Sequence, residues 1–173
     1  MFGVRSKASG ELVGLVYAIL DDSGTPAKWE IGGLTVDPNY QGCGLGNVLA
    51  TFALAHVLTM QSPWAAGQVV VAHVHEANQS PRGIFSRLAF RLNDQITLPK
   101  EFAPASMKRN ADGDVVGDEL WFEKAGIPAL LMGLEWGLTG TLKNGDRVAV
   151  DSRFADTVDV RRMVTVLEEL FRS

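Results

Sequence analysis

Residues 30–46 read Glu30-Ile31-Gly32-Gly33-Leu34-Thr35-Val36-Asp37-Pro38-Asn39-Tyr40-Gln41-Gly42-Cys43-Gly44-Leu45-Gly46. A β-branched and apolar run from Trp29 to Val36 predicts a strand, and it stops at Asp37-Pro38 because proline has no N–H for a ladder. Behind it, Asn47 to Met60 is apolar on nearly every side and long enough for four helical turns, which predicts a buried helix. Gln68 to His75 returns as a strand. Strand, helix and strand in that order imply a right-handed parallel crossover and a mixed sheet with helices on its faces. The turn between strand and helix, Gln41 to Gly46, carries three glycines. Glycine permits left-handed backbone angles and lets N–H groups approach an anion, while the helix N-terminus adds partial positive charge. Such a turn can cradle a phosphate, although a short glycine pattern alone also fits a plain tight turn. It lacks the Gly-Lys-Ser/Thr of a triphosphate loop, and it follows an inner strand instead of opening a dinucleotide-binding unit.

Working outward, Phe2 to Lys7 and Glu11 to Ile19 predict two strands of a hairpin around Ser9-Gly10, and Asp21 to Pro26 a loop. Downstream, Ser80 to Leu88 predicts a short helix with Pro81 in its first turn, where the missing N–H is not needed. Phe90 to Ile96 and Glu119 to Lys124 are candidate strands, separated by a polar loop with Asp112-Gly113-Asp114. After Gly126, a helix is expected over Ile127 to Leu138. Within Thr139 to Asp151, Asn144-Gly145 signals a hairpin turn. Val160, Met163, Val164, Leu167, Leu170 and Phe171 share one face of a final amphipathic helix, with Asp156 as N-cap candidate ahead of Asp159.

The chain has 173 residues, 46% hydrophobic and 21% charged, which fits one domain with a small appendage and excludes a disordered, collagenous or coiled-coil whole. The net charge of −4 gives no global footprint for nucleic acid or anionic lipid. A lone cysteine, Cys43, cannot close an internal disulfide, so a reducing, cytoplasmic setting is expected. No signal peptide is visible, and the longest apolar run, Leu12 to Leu20, is far short of the ~20 residues of a membrane helix. From Pro38 to His75 there is no formal charge, which marks the buried heart of the domain.

Residues 30–46 resemble the central strand and pyrophosphate loop of the GNAT superfamily of acyl-CoA N-acyltransferases, whose loop pattern is Gln/Arg-x-x-Gly-x-Gly/Ala. Asn78, Phe85 and Phe90 are similar in order and spacing to a later strand-to-helix segment of that family. The resemblance runs from about Phe2 to Lys124. It implies an α/β (α+β) fold with a mixed, mostly antiparallel central sheet, a parallel strand pair that splays apart, and flanking helices. It also implies acetyl-CoA as acyl donor, with pantetheine along the backbone of Leu34, Thr35 and Val36. The pyrophosphate would lie on the amides of Gly42, Cys43, Gly44, Leu45 and Gly46. Gln41 stands where the family often has Arg, so Arg82 is a candidate for charge compensation, and Asn78 and Phe85 join the candidate donor-binding set. Metal is not expected.

Glu30 occupies a strand position that carries the general base in several members of the family. An amine is protonated near neutral pH, and a carboxylate can remove a proton before attack on the thioester. A half-exposed strand carboxylate that only solubilises an edge is the other reading, and the residues leave both open. Where the family usually has a tyrosine to protonate the leaving thiolate, the chain has Phe85. His73 and His75 alternate on one strand face without a third ligand at metal spacing, so a structural or substrate-lining role is expected. Cys43 and Trp121 are read as packing residues.

Family members usually open with a strand and two helices, whereas this sequence begins at the hairpin. The expectation is therefore a core over residues 1–125 and a C-terminal extension over 126–173. Its strand Arg147 to Asp151 and helix Asp156 to Phe171 would cover the sheet, either within the chain or by exchange between two chains of a homodimer. The functional reading is direct acetyl transfer from acetyl-CoA to an amine, with neither nucleic acid nor membrane as partner. A catalytically weak acyl-CoA-binding regulatory module is the alternative. A small amine, an antibiotic, an N-terminus and a protein lysine all remain open as acceptors.

Overall fold

A computed structural model describes residues 1–61, 63–75, 78–98, 107, 109–139, 141–152 and 160–172. The chain opens with an antiparallel meander of β1 (Phe2–Ser6), β2 (Leu12–Asp21) and β3 (Lys28–Val36). Helix α1 (Leu45–Gln61) then crosses over to β4 (Val69–His75), and α2 (Gln79–Arg87) leads into the antiparallel pair β5 (Phe90–Leu98) and β6 (Val115–Phe122). Helix α3 (Ile127–Thr139), strand β7 (Val148–Ser152) and helix α4 (Val160–Arg172) complete the chain. One sheet holds all seven strands in the order β5-β6-β4-β3-β2-β1-β7.

The uncharged composition of α1 follows from its position. It rests on β1, β2 and β3, and α2, α3 and α4 all contact it, so almost no face meets solvent. Leu45, Leu49, Phe52, Leu54 and Leu58 are fully buried, as are Ile127, Leu130 and Leu134 of α3. Burying a large aliphatic side chain contributes about 1.5–3 kcal/mol, so this helix is the main apolar anchor of the fold. Helices were expected on both faces of the sheet, yet every described helix packs on the α1 side. The opposite face carries Tyr17, Glu30, His73 and Glu119.

Among the described strands only β3 and β4 run parallel, and their pairing is short: Lys28, Trp29 and Glu30 face Val69, Val70 and Val71. Beyond Glu30, the β3 edge has no β4 partner, so the two strands part from that point.

Several expectations are corrected. Asn144-Gly145 does form a tight turn, with Gly145 at φ 86° and its N–H bonded to the Leu142 carbonyl, but no described strand precedes it. Only the later arm, β7, joins the sheet, and it pairs antiparallel with β1 from Phe2–Ser152 to Ser6–Val148. The polar region with Asp112-Gly113-Asp114 is a turn as expected, but β6 begins at Val115, because that residue and Leu98 close the β5–β6 ladder. Helix α4 begins at Val160 in the described residues, and the N-cap candidate Asp156 lies outside them. No described helix is long and apolar enough to cross a membrane.

Candidate functional site

The strand-to-helix turn opens a cleft of about 700 Å³, walled by Leu34 and Val36 of β3, Tyr40, Gln41, Gly42 and Gly44 of the turn, Leu45, Gly46 and Asn47 of α1, and Asn78, Ser80, Pro81 and Ile84 around the start of α2. Gly42 and Gly44 adopt φ of 73° and 97°, angles that a side chain would strain. These angles turn the backbone so that the N–H groups of Gly42, Gly44, Leu45 and Gly46 donate to no backbone carbonyl among the described residues. Four amides at a helix N-terminus suit an anionic group. Past Glu30, the parting of β3 from β4 leaves a strand edge beside the same cleft.

Of the donor-binding candidates, Leu34, Val36, Gln41, Gly42, Gly44, Leu45, Gly46 and Asn78 come together around this cleft. The Gln41 side-chain amide donates to the Val36 carbonyl at 3.3 Å. The other candidates are placed elsewhere. Thr35 is exposed off the cleft wall and bonds the Gly33 carbonyl at 3.3 Å. Cys43 turns its thiol toward the Gln41 carbonyl at 3.6 Å and lines an adjoining apolar pocket of about 300 Å³ between α1 and α3, which shares Gly44, Asn47, Arg87 and Lys143 with the cleft.

Arg82, the candidate for charge compensation, faces Asp118 of β6 in an ion pair instead of the cleft. Asp118 is only 7% exposed, so the guanidinium is held where a buried carboxylate needs it. The positive charge at the cleft comes from Arg87 and Lys143. Arg87 also donates to the side-chain oxygen of Asn47 at 3.0 Å. Neither was identified from the sequence: Arg87 ends α2 inside the segment from Asn78 to Phe90 but at none of its motif positions, and Lys143 arrives from the C-terminal turn. Phe85 is a core residue, 3% exposed and edge-on to Phe90 at 5.0 Å between ring centres, so it offers the cleft neither surface nor proton.

A second constellation forms on the opposite face of the sheet, where β3 and β4 begin to part. Ile31 is buried against the helices, so the two-residue period of the strand points Glu30 the other way. There its carboxylate meets Nδ1 of His73 at 3.3 Å, and the Tyr17 hydroxyl donates to its second oxygen at 3.4 Å. The Tyr17 ring lies over Gly32 and Gly33. A Cβ on Gly33 would sit 2.4 Å from that ring, which explains why two glycines follow the glutamate. On its far side His73 meets Glu119 through Nε2 at 3.0 Å. Glu119, with a side chain 5% exposed, also receives Lys28 at 2.6 Å, Trp121 at 2.7 Å and Asn93 at 3.2 Å.

The charges settle accordingly. Burial would raise the Glu119 carboxyl, but the Lys28 ammonium and the His73 and Trp121 donors hold it down at about 2. The hydrogen bond from His73 draws Glu30 below the ordinary carboxylate range despite partial burial. The same contact, with that to Glu119, raises His73 against the opposing effect of burial. Trp121, read from the sequence as packing, thus also orients a carboxylate. His73, expected to be structural or substrate-lining, stands between two carboxylates, those of Glu30 and Glu119. The alternation of His73 with His75 was legible, but the β3, β5 and β6 partners that define its role are far away in sequence.

The model of the acetyltransferase (GNAT) family matches residues 2–90. No curated protein matches the chain significantly. Among solved structures, a spermidine N-acetyltransferase SpeG chimera from Vibrio cholerae and hSSAT is similar at a TM-score of 0.50 and 17% identity, covering 75% of this chain and 68% of that one. Arabidopsis thaliana NAA60 in complex with a bisubstrate analogue is similar at 0.49 and 16%, covering 67% of each chain. The ribosomal-protein-S18-alanine N-acetyltransferase from Escherichia coli is similar at 0.42 and 18%, covering 66% of this chain and 63% of that one. The chain spans less than two thirds of the length of several structures it matches.

Proposed function

The chain belongs to the acetyltransferase (GNAT) family, and from that premise we propose that it transfers the acetyl group of acetyl-CoA directly to an amine. The observation that carries this reading is the junction of the two constellations. The glycine turn with its four donor amides opens onto the free edge of β3, and that edge begins at Glu30.

The residues fit such a donor. The amides of Gly42, Gly44, Leu45 and Gly46 and the cations Arg87 and Lys143 receive the pyrophosphate, and the β3 backbone from Leu34 to Val36 pairs with the pantetheine. Bound there, acetyl-CoA supplies an activated thioester. Glu30 accepts the proton of the incoming amine, and Tyr17 holds the other carboxylate oxygen in place. A thiolate with a pKa near about 8.5 is a tolerable leaving group, so the absence of a hydroxyl at Phe85 does not preclude the reaction. The amine is left unspecified.

Calorimetry with acetyl-CoA and CoA, followed by thiol release against a panel of amines, tests the reading. Binding with release dependent on an amine is the expected result, and failure to bind either ligand overturns it. The second reading, an acyl-CoA-binding regulatory module, is favoured by the burial of Phe85 in the core, and predicts binding without amine-dependent release.

A further inference from the structure

We propose that Glu30 and His73 work as one proton-holding pair, oriented by Glu119, so that the imidazole behind the carboxylate receives the proton given up by the acceptor amine. This inference rests on the acetyl-transfer reading and deepens it.

The geometry divides the labour. Glu119 already accepts from Lys28, Trp121 and Asn93 and is almost closed to solvent, so its task toward His73 is orientation. With Nε2–H donated to Glu119 at 3.0 Å, Nδ1 is aimed at the Glu30 carboxylate at 3.3 Å. A nitrogen lone pair facing an ionised oxygen at that distance is repulsive, and a proton between them turns the contact into a charge-assisted hydrogen bond. The pair therefore stores one proton at rest. Both members keep access to the outside, with side chains 32% and 25% exposed, whereas Glu119 does not.

Glu30 alone, with its affinity for protons lowered by an imidazolium, is a weak base. Once the shared proton has left, neutral His73 stands behind it and the pair becomes a stronger one. The neutral amine nitrogen then bonds the acetyl carbonyl carbon, and the carbon–sulfur bond breaks with its electron pair leaving on CoA as thiolate. The N–H proton passes through the Glu30 carboxylate to Nδ1 of His73, which ends as imidazolium. Charge and atoms balance without any further reactant. His73 acts through Glu30 and is a positioning residue in this scheme, as is Glu119.

The charged and titratable groups around the pair are Tyr17 and Asp21 from β2, Lys28 from β3 and Glu119 from β6. Each carboxylate favours the imidazolium, so the shared proton leaves only above the ordinary histidine range near about 6.5. The two groups titrate as a unit, and the observable values belong to the pair.

The test follows the ring resonances of His56, His73 and His75 by NMR in the full-length protein, assigned with His73→Gln. In parallel, thiol release is measured against pH with two probe amines, spermidine and a tetrapeptide with a free α-amine. We expect the His73 ring to titrate above the ordinary histidine range, and to fall toward it in Glu30→Gln. In Glu119→Gln the ring should lose its Nε2–H tautomer preference. In His73→Gln, kcat should drop about 10²-fold and the rising limb of the rate profile should move to lower pH, with acetyl-CoA affinity unchanged. A His73 ring that titrates like a free histidine overturns the pair, as does a rate profile unaltered in His73→Gln. Turnover of neither amine by protein that binds acetyl-CoA overturns the parent acetyl-transfer reading in favour of the binding module, whatever the ring titration shows. Absence of acetyl-CoA binding in calorimetry overturns the parent reading, and is thereby distinguished from failure of the pair alone.

Discussion

The Tyr40 hydroxyl donates to Oδ2 of Asp146 at 2.8 Å, tying the cleft wall to a residue that lies 106 positions later in the chain. Ser6 at the end of β1 donates to the same oxygen at 2.7 Å, and the Lys143 N–H reaches the Cys43 carbonyl at 3.3 Å. The C-terminal turn thus laces β1 to the glycine turn. Asp146→Ala should lower Tm and weaken acetyl-CoA binding several-fold, read by thermal unfolding and calorimetry. The Ser6 and Tyr40 hydrogen bonds hold the Asp146 carboxyl below its usual range, so their contribution is present above the unfolded value and fades as pH falls through the folded one.

Gly44→Asp should abolish detectable acetyl-CoA binding. The position sits at φ 97°, which costs a non-glycine residue on the order of 1–3 kcal/mol, and the new carboxylate would repel a pyrophosphate. A folded Gly44→Asp protein that binds acetyl-CoA with unchanged affinity would remove the cradle assignment.

The two arginines of α2 should separate cleanly. Arg87→Ala, at the cleft, should raise the acetyl-CoA Kd roughly tenfold and flatten its dependence on salt, while leaving Tm nearly unchanged. Arg82→Ala should leave Kd alone and lower Tm, because Asp118 would lose its partner while buried. Calorimetry at two ionic strengths and thermal melts distinguish them.

Glu30→Gln should reduce turnover by about 10²–10⁴-fold with little change in acetyl-CoA affinity. A loss of less than a few-fold would leave Glu30 as a structural carboxylate.

Stability should respond to pH in two windows. Glu119 falls from an ordinary 4.5 to about 2, a difference worth on the order of 3 kcal/mol, present in full above about 4.5 and lost as pH approaches 2. His73 is raised, so its contribution is complete below the unfolded value of 6.5 and is lost as pH rises through the folded one. Glu119→Gln should therefore flatten the acid side of a plot of Tm against pH.

Legibility in the sequence followed locality. The strand Trp29 to Val36, the turn at Gly42 to Gly44 and the uncharged helix behind it are set by proline, glycine and apolar run length, all short-range signals, and each was found within a residue or two. Glu30 was singled out by the resemblance of its strand to the family's, and the alternation that buries Ile31 turns its side chain to the opposite face. What escaped notice depends on register across the sheet. No local pattern brings Glu119 to His73, 46 positions earlier, or to Lys28, 91 positions earlier, since that meeting follows from β6 lying antiparallel to β4 with His73 opposite Glu119. Arg82 was misplaced for the same reason, as Asp118 competes for it from that strand.

The place of β1 between β2 and β7 bears on how the protein is made. Its first five-residue strand has one neighbour within the same hairpin, and obtains the other only when residues 148–152 have been synthesised. During translation that edge offers unpaired backbone groups to any passing extended chain, and the ladder that finally seals it spans nearly the whole polypeptide. Closing so distant a pair late makes folding slow relative to a helical bundle of this size, and leaves that edge open to intermolecular pairing in the meantime.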